Sequence, residues 1–345
     1  MTSASGTALS ERATLAAARG GDPEAFRRLV EPHRAALVAH CYRMLGSLQD
    51  AEDALQDTLL RAWRALPRFE GRSSVRSWLY TIATNASLRA IERRPRRVLP
   101  FEAGPAEEVA GRVREPLAEV AWIEPYPDQE VGDGLAGPEA RYEQRESLEL
   151  AFIAAMQHLP ARQRAVLIMR DVLGFSGADV AETLETTPAA VYSALQRAHR
   201  TVDERLPDVS QQATLRSLGD AGLREVVDGY VDAWERGDLD ALVAMLTEDA
   251  RLEMPPTPTW YAGRDAVAAF LHSGDHAAAG RWRLVPARAN AQVAFGKYLW
   301  RADAASFRAH QVNVLTLRGD RIARITAFLT PGAFARFGLP ADLRG

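Results

Sequence analysis

SLQDAEDALQDTLLRAWRALPRFEGRSSVRSWLYTIATNASLRAIERRPRR, Ser47 to Arg97, is the stretch whose reading decides the fold. An acidic amphipathic helix, a Phe-Gly-Ser loop, an aromatic helix and an arginine cluster follow one another in it. Ser47 and Asp50 form an S-x-x-D start signal, and Ala51, Leu55, Leu59 and Ala62 recur on one helix face. Glu52, Asp53, Gln56 and Asp57 share the opposite face, which suits either a solvated surface or a docking face for a basic protein. In the loop, Gly71 permits a sharp turn and Phe69 offers a flat apolar face; Asn85, on the next helix, adds an amide. Phe69 equally suits a core position. Pro95 should end that helix, leaving Arg89, Arg93, Arg94, Arg96 and Arg97 free to reach phosphates.

Outward from this stretch, the 345 residues divide by composition. Apolar residues recur at helical spacing over 11–98, stop over 99–141, where Pro, Gly, Glu and Asp dominate, and resume over 142–206. The middle segment is too long for an ordinary connection and reads as an acidic linker. Its phrase WIEPYPD, with Trp122 and Tyr126, is too apolar for a pure tether and suits docking on the third region. That region, 218–337, places helices first and then extended segments, with Arg318-Gly319-Asp320 as a hairpin turn. An α+β cone with an antiparallel sheet is expected there, behind two all-α units.

A net charge of −3 excludes a generally basic coat for nucleic acid, so any such binding must be local. A single cysteine, Cys41, excludes an internal disulfide and a thiolate-rich zinc site. His33 and His40 sit beside it at helical spacing without a completing carboxylate, so buried structural histidines are expected rather than a metal site. No cofactor is expected. The sequence shows neither a signal-peptide core nor a bilayer-spanning stretch, and the cytoplasm is the expected compartment.

The segment FSGADVAETLETTPAAVYSALQRAHRTV reads as a helix-turn-helix. Ser176 and Asp179 open one helix, and Thr187 caps a second that has Pro188 at its first position. Tyr192, Ser193, Gln196, Arg197 and Arg200 face outward from the second helix, and Gln and Arg are suited to base edges and phosphates.

These two segments resemble regions 2 and 4 of extracytoplasmic-function sigma factors, the promoter-specificity subunits of bacterial RNA polymerase. The resemblance implies docking of Glu52, Asp53, Gln56 and Asp57 on the β′ clamp helices, and contact between region 4 and the β flap. It implies that Phe69 and Asn85 line a pocket for a base flipped from the −10 element, with the arginine cluster beside them. The helix carrying Tyr192 to Arg200 would read the −35 element. Many members have a basic residue where Tyr192 stands and another near Ala194, so this chain should differ in promoter preference. The linker would thread the polymerase cleft.

The stretches EMPPTPTWYAGRDAVAAF and RIARITAFLTP resemble SnoaL-like polyketide cyclases, whose cone encloses one pocket. Such a fusion resembles the SigG-like group, although the glycine-rich DGGGR tail motif of the best-known related group is missing from the sequence. Glu253, Trp260, Tyr261, Trp282, Trp300 and His310 are the candidate pocket residues, for a possible small-molecule ligand. The expected function is promoter-directed initiation modulated by the C-terminal domain, without catalysis by the chain itself. The alternative is a cyclase or isomerase tethered to DNA, with Glu253 near His310 abstracting a proton. A separate anti-sigma partner stays open.

Overall fold

The computed structural model describes residues 12–130, 138–273 and 281–344. The expected start at residue 11 and linker positions 131–137 lie outside them. The chain forms two compact units, and neither is one uninterrupted piece of sequence.

The helical unit contains the described residues up to Arg94 together with Met156–Val202. Helix α1, Pro23–Val30, starts at Asp22, whose carboxylate accepts from the amides of Glu24 and Ala25 at 2.9 and 3.2 Å. Helix α2, Arg34–Leu45, ends at Gly46, whose φ of 69° is a conformation that glycine adopts at no steric cost. Helix α3, Leu48–Ala65, is capped by Ser47, which accepts from the amide of Asp50 at 3.1 Å as the start signal predicts. Helix α4, Val75–Ile91, is capped by Ser74 and stops short of Pro95. Leu37, Tyr42, Met44, Leu55 and Leu79 are buried between these helices. His40 is fully buried against Thr84 at 2.9 Å, and burial lowers its pKa to about 3.

The later helices of this unit are α5 (Ala161–Leu167), which continues into a wider turn at Ile168–Val172, α6 (Gly177–Thr183) and α7 (Pro188–Asp203). Ser176 and Asp179 cap α6 reciprocally, and Thr187 accepts from the amide of Ala190 at 3.2 Å to open α7. Arg164, 4% exposed, ties the two halves together. Its guanidinium donates to the carbonyl of Met44 at the end of α2 and to the Gln157 side chain, the latter at 2.8 Å. Thr81 of α4 meets Thr183 of α6 at 2.9 Å, and Arg76 donates to the Leu173 carbonyl at 3.2 Å. Two segments far apart in sequence thus share one core.

The C-terminal unit contains Pro95–Gln129, the described residues of 138–155, and the described residues from Asp203 onward. Helix α8, Gln211–Arg236, is broken at Gly219 and ends at Gly237. Helices α9 (Leu239–Ala244) and α10 (Arg264–His272) follow. The sheet comprises β1 (Leu246–Glu253), β2 (Trp260–Ala262), β3 (Trp282–Ala289), β4 (Gln292–Arg301), β5 (Ser306–Arg318), β6 (Arg321–Phe328) and β7 (Asp342–Arg344). The strand order is β2-β1-β6-β5-β4-β3, with β7 on β5. The hairpin at Arg318-Gly319-Asp320 forms as expected, with Arg318 opposite Arg321. The expectation of a wholly antiparallel sheet needs correction, because β1 and β6 pair in parallel. The chain leaves β1, builds β3 to β5, and returns beside it, which fixes that direction.

The pleat gives the sheet two faces. Leu252, Ile325, Leu315, Val293 and Phe295 turn toward α8 and form a core with Tyr230 and Trp234. Glu253, Thr326 and Val314, one position on, turn the other way. Among the described residues no helix is long and apolar enough to cross a membrane.

Candidate nucleic-acid interface and C-terminal cone

On α3, Asp53 and Gln56 are exposed, whereas Glu52 and Asp57 are half-buried. Asp57 is held by Arg61 at 2.7 Å, and Arg89 of α4 approaches it to 3.6 Å. The acidic face therefore carries its own counter-charges. Phe69 is 8% exposed and packs on Trp78, with ring centroids 4.8 Å apart. Asn85 lies half-buried on α4.

Four of the five clustered arginines are paired, contrary to the expectation that they stand free. Arg89 pairs with Asp57 and Arg94 with Asp50 in the helical unit. Arg96 lies 3.9 Å from Glu102 in the C-terminal unit, and Arg97 reaches the Trp122 carbonyl at 2.5 Å and Glu124 at 3.7 Å. Acids near each guanidinium lower the cost of holding it half-covered. Arg93 is exposed. On α7, Tyr192, Ser193, Gln196, Arg197 and Arg200 are all exposed, so the face expected outward is outward. Tyr192 also packs by its ring and tip: a side chain at Gly177 would meet its hydroxyl at 3.2 Å, and Arg170 lies over its ring at 5.9 Å.

The linker docks on the C-terminal domain, as its aromatic content suggests. Trp122, Ile123 and Tyr126 are buried. The amide of Tyr126 donates to Asn290 Oδ1 at 2.9 Å, and its carbonyl accepts from the amide of Asn290 at 2.8 Å. Asp128 accepts from the amide of Ala291 at 2.7 Å. Further back, Trp260 Nε1 donates to the Gly104 carbonyl at 2.9 Å, and the Tyr261 hydroxyl donates to the Arg112 carbonyl at 2.7 Å. Phe101 lies under the guanidinium groups of Arg251 and Arg324 at 5.5 and 5.3 Å. Two of the six expected pocket residues thus hold the linker.

Glu253 and His310 are not assembled as a pair. Glu253 is fully buried on the face that turns away from α8, with Arg324 at 3.4 Å, and burial raises its pKa. His310 stands edge-on to Trp282, with centroids 5.4 Å apart, and belongs with the groups near α8. Burial and the neighbouring Lys297 lower its pKa to about 4. Trp300 is half-buried and meets Phe307 edge-on, with ring centroids 5.0 Å apart.

Of the expected set, Trp282 and His310 are the two that come together. The groups around them are Lys297, Trp234, Tyr230 and Asn313, none of which was among the six. Lys297 Nζ lies 3.0 Å from the ring centroid of Trp234 and 3.8 Å from that of Trp282. Asn313 Nδ2 donates to the Tyr230 hydroxyl at 3.0 Å. A signal was present in the sequence. Val293, Phe295, Lys297 and Leu299 share one strand face, and a lysine in an inward apolar row is out of place. Among the described residues no cluster of His, Cys, Asp and Glu could hold a metal ion.

Comparison with known proteins accounts for each part. The family models Sigma-70 region 2, Sigma-70 region 4 and SnoaL-like domain match residues 29–97, 149–202 and 227–325. The ECF RNA polymerase sigma factor SigG of Mycobacterium tuberculosis (strain ATCC 25618 / H37Rv) is 42% identical over 327 residues, which cover 94% of this chain and 86% of that protein. The RNA polymerase sigma-H factor of Pseudomonas aeruginosa is 28% identical over 193 residues, covering 56% of this chain and 92% of its own. The crystal structure of the Mycobacterium tuberculosis extracytoplasmic function sigma factor SigJ covers 89% of this chain and 97% of its own, with a TM-score of 0.56 and 21% identity, a likeness of fold. Matched along nearly its whole length by a relative of 42% identity, the chain belongs to the extracytoplasmic-function sigma factors of RNA polymerase.

Proposed function

We propose that this sigma factor binds core RNA polymerase through the acidic face of α3, Glu52, Asp53, Gln56 and Asp57. It delivers the enzyme to a −35/−10 promoter, read by α7 at one element and by Phe69, Asn85 and the arginine cluster at the other. The C-terminal SnoaL-like domain modulates this activity through the linker. The observation that carries the reading is the docked linker: Trp122, Ile123 and Tyr126 are buried in the same compact unit as the cone, so the segment between the two DNA-reading parts has a fixed seat.

A seat can bias activity only through a difference in affinity between two arrangements of the chain, so either sign is open. Seating the linker also engages Arg96 and Arg97 with Glu102, Trp122 and Glu124. Promoter phosphates would have to exchange for these partners. The test is in-vitro transcription from a cognate promoter at equal occupancy of polymerase, with full-length protein, a truncation near Asp208 and Trp122→Ala. Both variants should shift transcript yield in the same direction. Equal yields from all three would remove the regulatory role.

A further inference from the structure

We propose that the side of the sheet facing α8 holds a site for a small aromatic carboxylate, its anionic end against Lys297 and His310 and its flat body along Trp282 and Trp234. The inference deepens the regulatory reading of the C-terminal domain and rests on it only for its consequence, since binding itself involves neither polymerase nor promoter.

Lys297 carries the argument. It is 2% exposed, and among the described residues no carboxylate pairs with it. A buried ammonium without a counter-charge is costly, and proteins normally pair such a group or neutralise it. Burial alone lowers the pKa of Lys297 well below 10.5. The indole faces of Trp234 and Trp282 offset part of that cost by cation–π attraction. The two ring planes stand at 70° with centroids 6.0 Å apart and form a corner that holds the amine on two sides. His310 stands beside the corner, edge-on to Trp282, and its buried Nδ1 has no hydrogen-bond partner among the described residues.

The neighbouring amides are already in use. Gln311 Nε2 donates to Asn313 Oδ1 at 2.7 Å, and Asn313 Nδ2 donates to Tyr230. They shape the corner without competing for the lysine. Glu253, the fully buried carboxylate of this domain, faces the other side of the sheet and cannot serve as counter-ion. One cation, one imidazole nitrogen and two flat walls match a planar monoanion. A phosphate or dianion would need more donors than the corner offers. Binding an anion here favours the protonated lysine, so affinity should rise as pH falls.

The test uses the full chain with benzoate, phenylacetate and the uncharged analogue benzamide, followed by tryptophan fluorescence and thermal melting. The two carboxylates should change fluorescence saturably and raise the melting temperature, and benzamide should do neither. Lys297→Met keeps the volume and should weaken benzoate binding at least tenfold while the protein stays folded. His310→Asn, a second variant, should weaken it less. The proposal fails if benzoate shows no saturable binding, if benzamide acts like benzoate, or if Lys297→Met binds benzoate as tightly as the native chain. Benzoate binding that leaves transcript yield unchanged would sink the regulatory reading and leave the site standing.

Discussion

The two compact units differ in how their charge is used, although the helical unit also buries the guanidinium of Arg164, satisfied by the Met44 carbonyl and Gln157. The helical unit displays it: Asp53 on α3 and Arg197 and Arg200 on α7 stand in solvent. The C-terminal unit takes it inside, where Lys297, Glu253 and Glu149 are each at most 4% exposed. Charge on a surface suits macromolecular partners, whose binding is governed by contacts and salt. Charge in an interior makes the fold itself sensitive to protons and to small counter-ions. One chain therefore combines a salt-sensitive part with a proton-sensitive part, and the contrast can be tested from both sides.

The largest effect is expected in the helical unit. Asn85→Ala should leave core-polymerase binding and the melting temperature unchanged while removing most permanganate reactivity from the −10 region. Phe69→Ala should likewise remove that reactivity, but it should also destabilise the fold by about 3–5 kcal/mol and lower the melting temperature, because its ring is packed on Trp78. Unchanged reactivity in both variants would take these residues out of promoter melting.

On the interior side, burial pushes the Glu149 carboxyl up to about 7, against the opposing hydrogen bonds from the amides of Gln211 and Gln212. A carboxyl with a raised folded pKa binds its proton more tightly in the folded state. Its contribution to stability is fully present below the unfolded value of about 4.3 and is lost as pH rises through about 7. Glu149→Gln should flatten this part of the pH–stability curve, by on the order of 3 kcal/mol between about pH 4 and pH 8. Parallel curves for the two proteins would show that Glu149 titrates normally.

Two smaller effects separate kinds of surface charge. Arg197→Ala should cost about 1–3 kcal/mol of discrimination at one −35 position if it reads a guanine. Equal loss on every −35 variant would make it a phosphate contact. Arg93→Ala should weaken binding evenly and lower the salt slope of log K by about 0.9. Arg89→Ala should change that slope less, because the native side chain already has Asp57 as a partner. Equal slope changes would mean that pairing in the free protein has no bearing on the complex.

Much of this was legible in the sequence because it is local. Ser47, Ser176 with Asp179, and Thr187 cap the helices they announce, since a cap needs only residues two or three positions away. The outward face of α7 follows from helical period, and the hairpin at Gly319 from turn chemistry. What was not legible depends on distant partners. Arg89 meets an acid on another helix and Arg97 an acid in the linker, pairings that no spacing rule contains. The parallel pairing of β1 with β6 depends on where the chain returns after four intervening strands. The interior of the cone was half legible. Trp282 and His310 stood out by residue type, whereas only strand parity placed Lys297 inside, a signal that the choice by residue type does not use.

The central claim, that this chain directs polymerase to a promoter, is tested most directly by run-off transcription with purified core enzyme. Adding the full-length protein should produce one discrete transcript from a cognate −35/−10 template, lost when either element is scrambled. Transcript output no greater than that of core enzyme alone, on a template shown to bind the protein, would contradict the account.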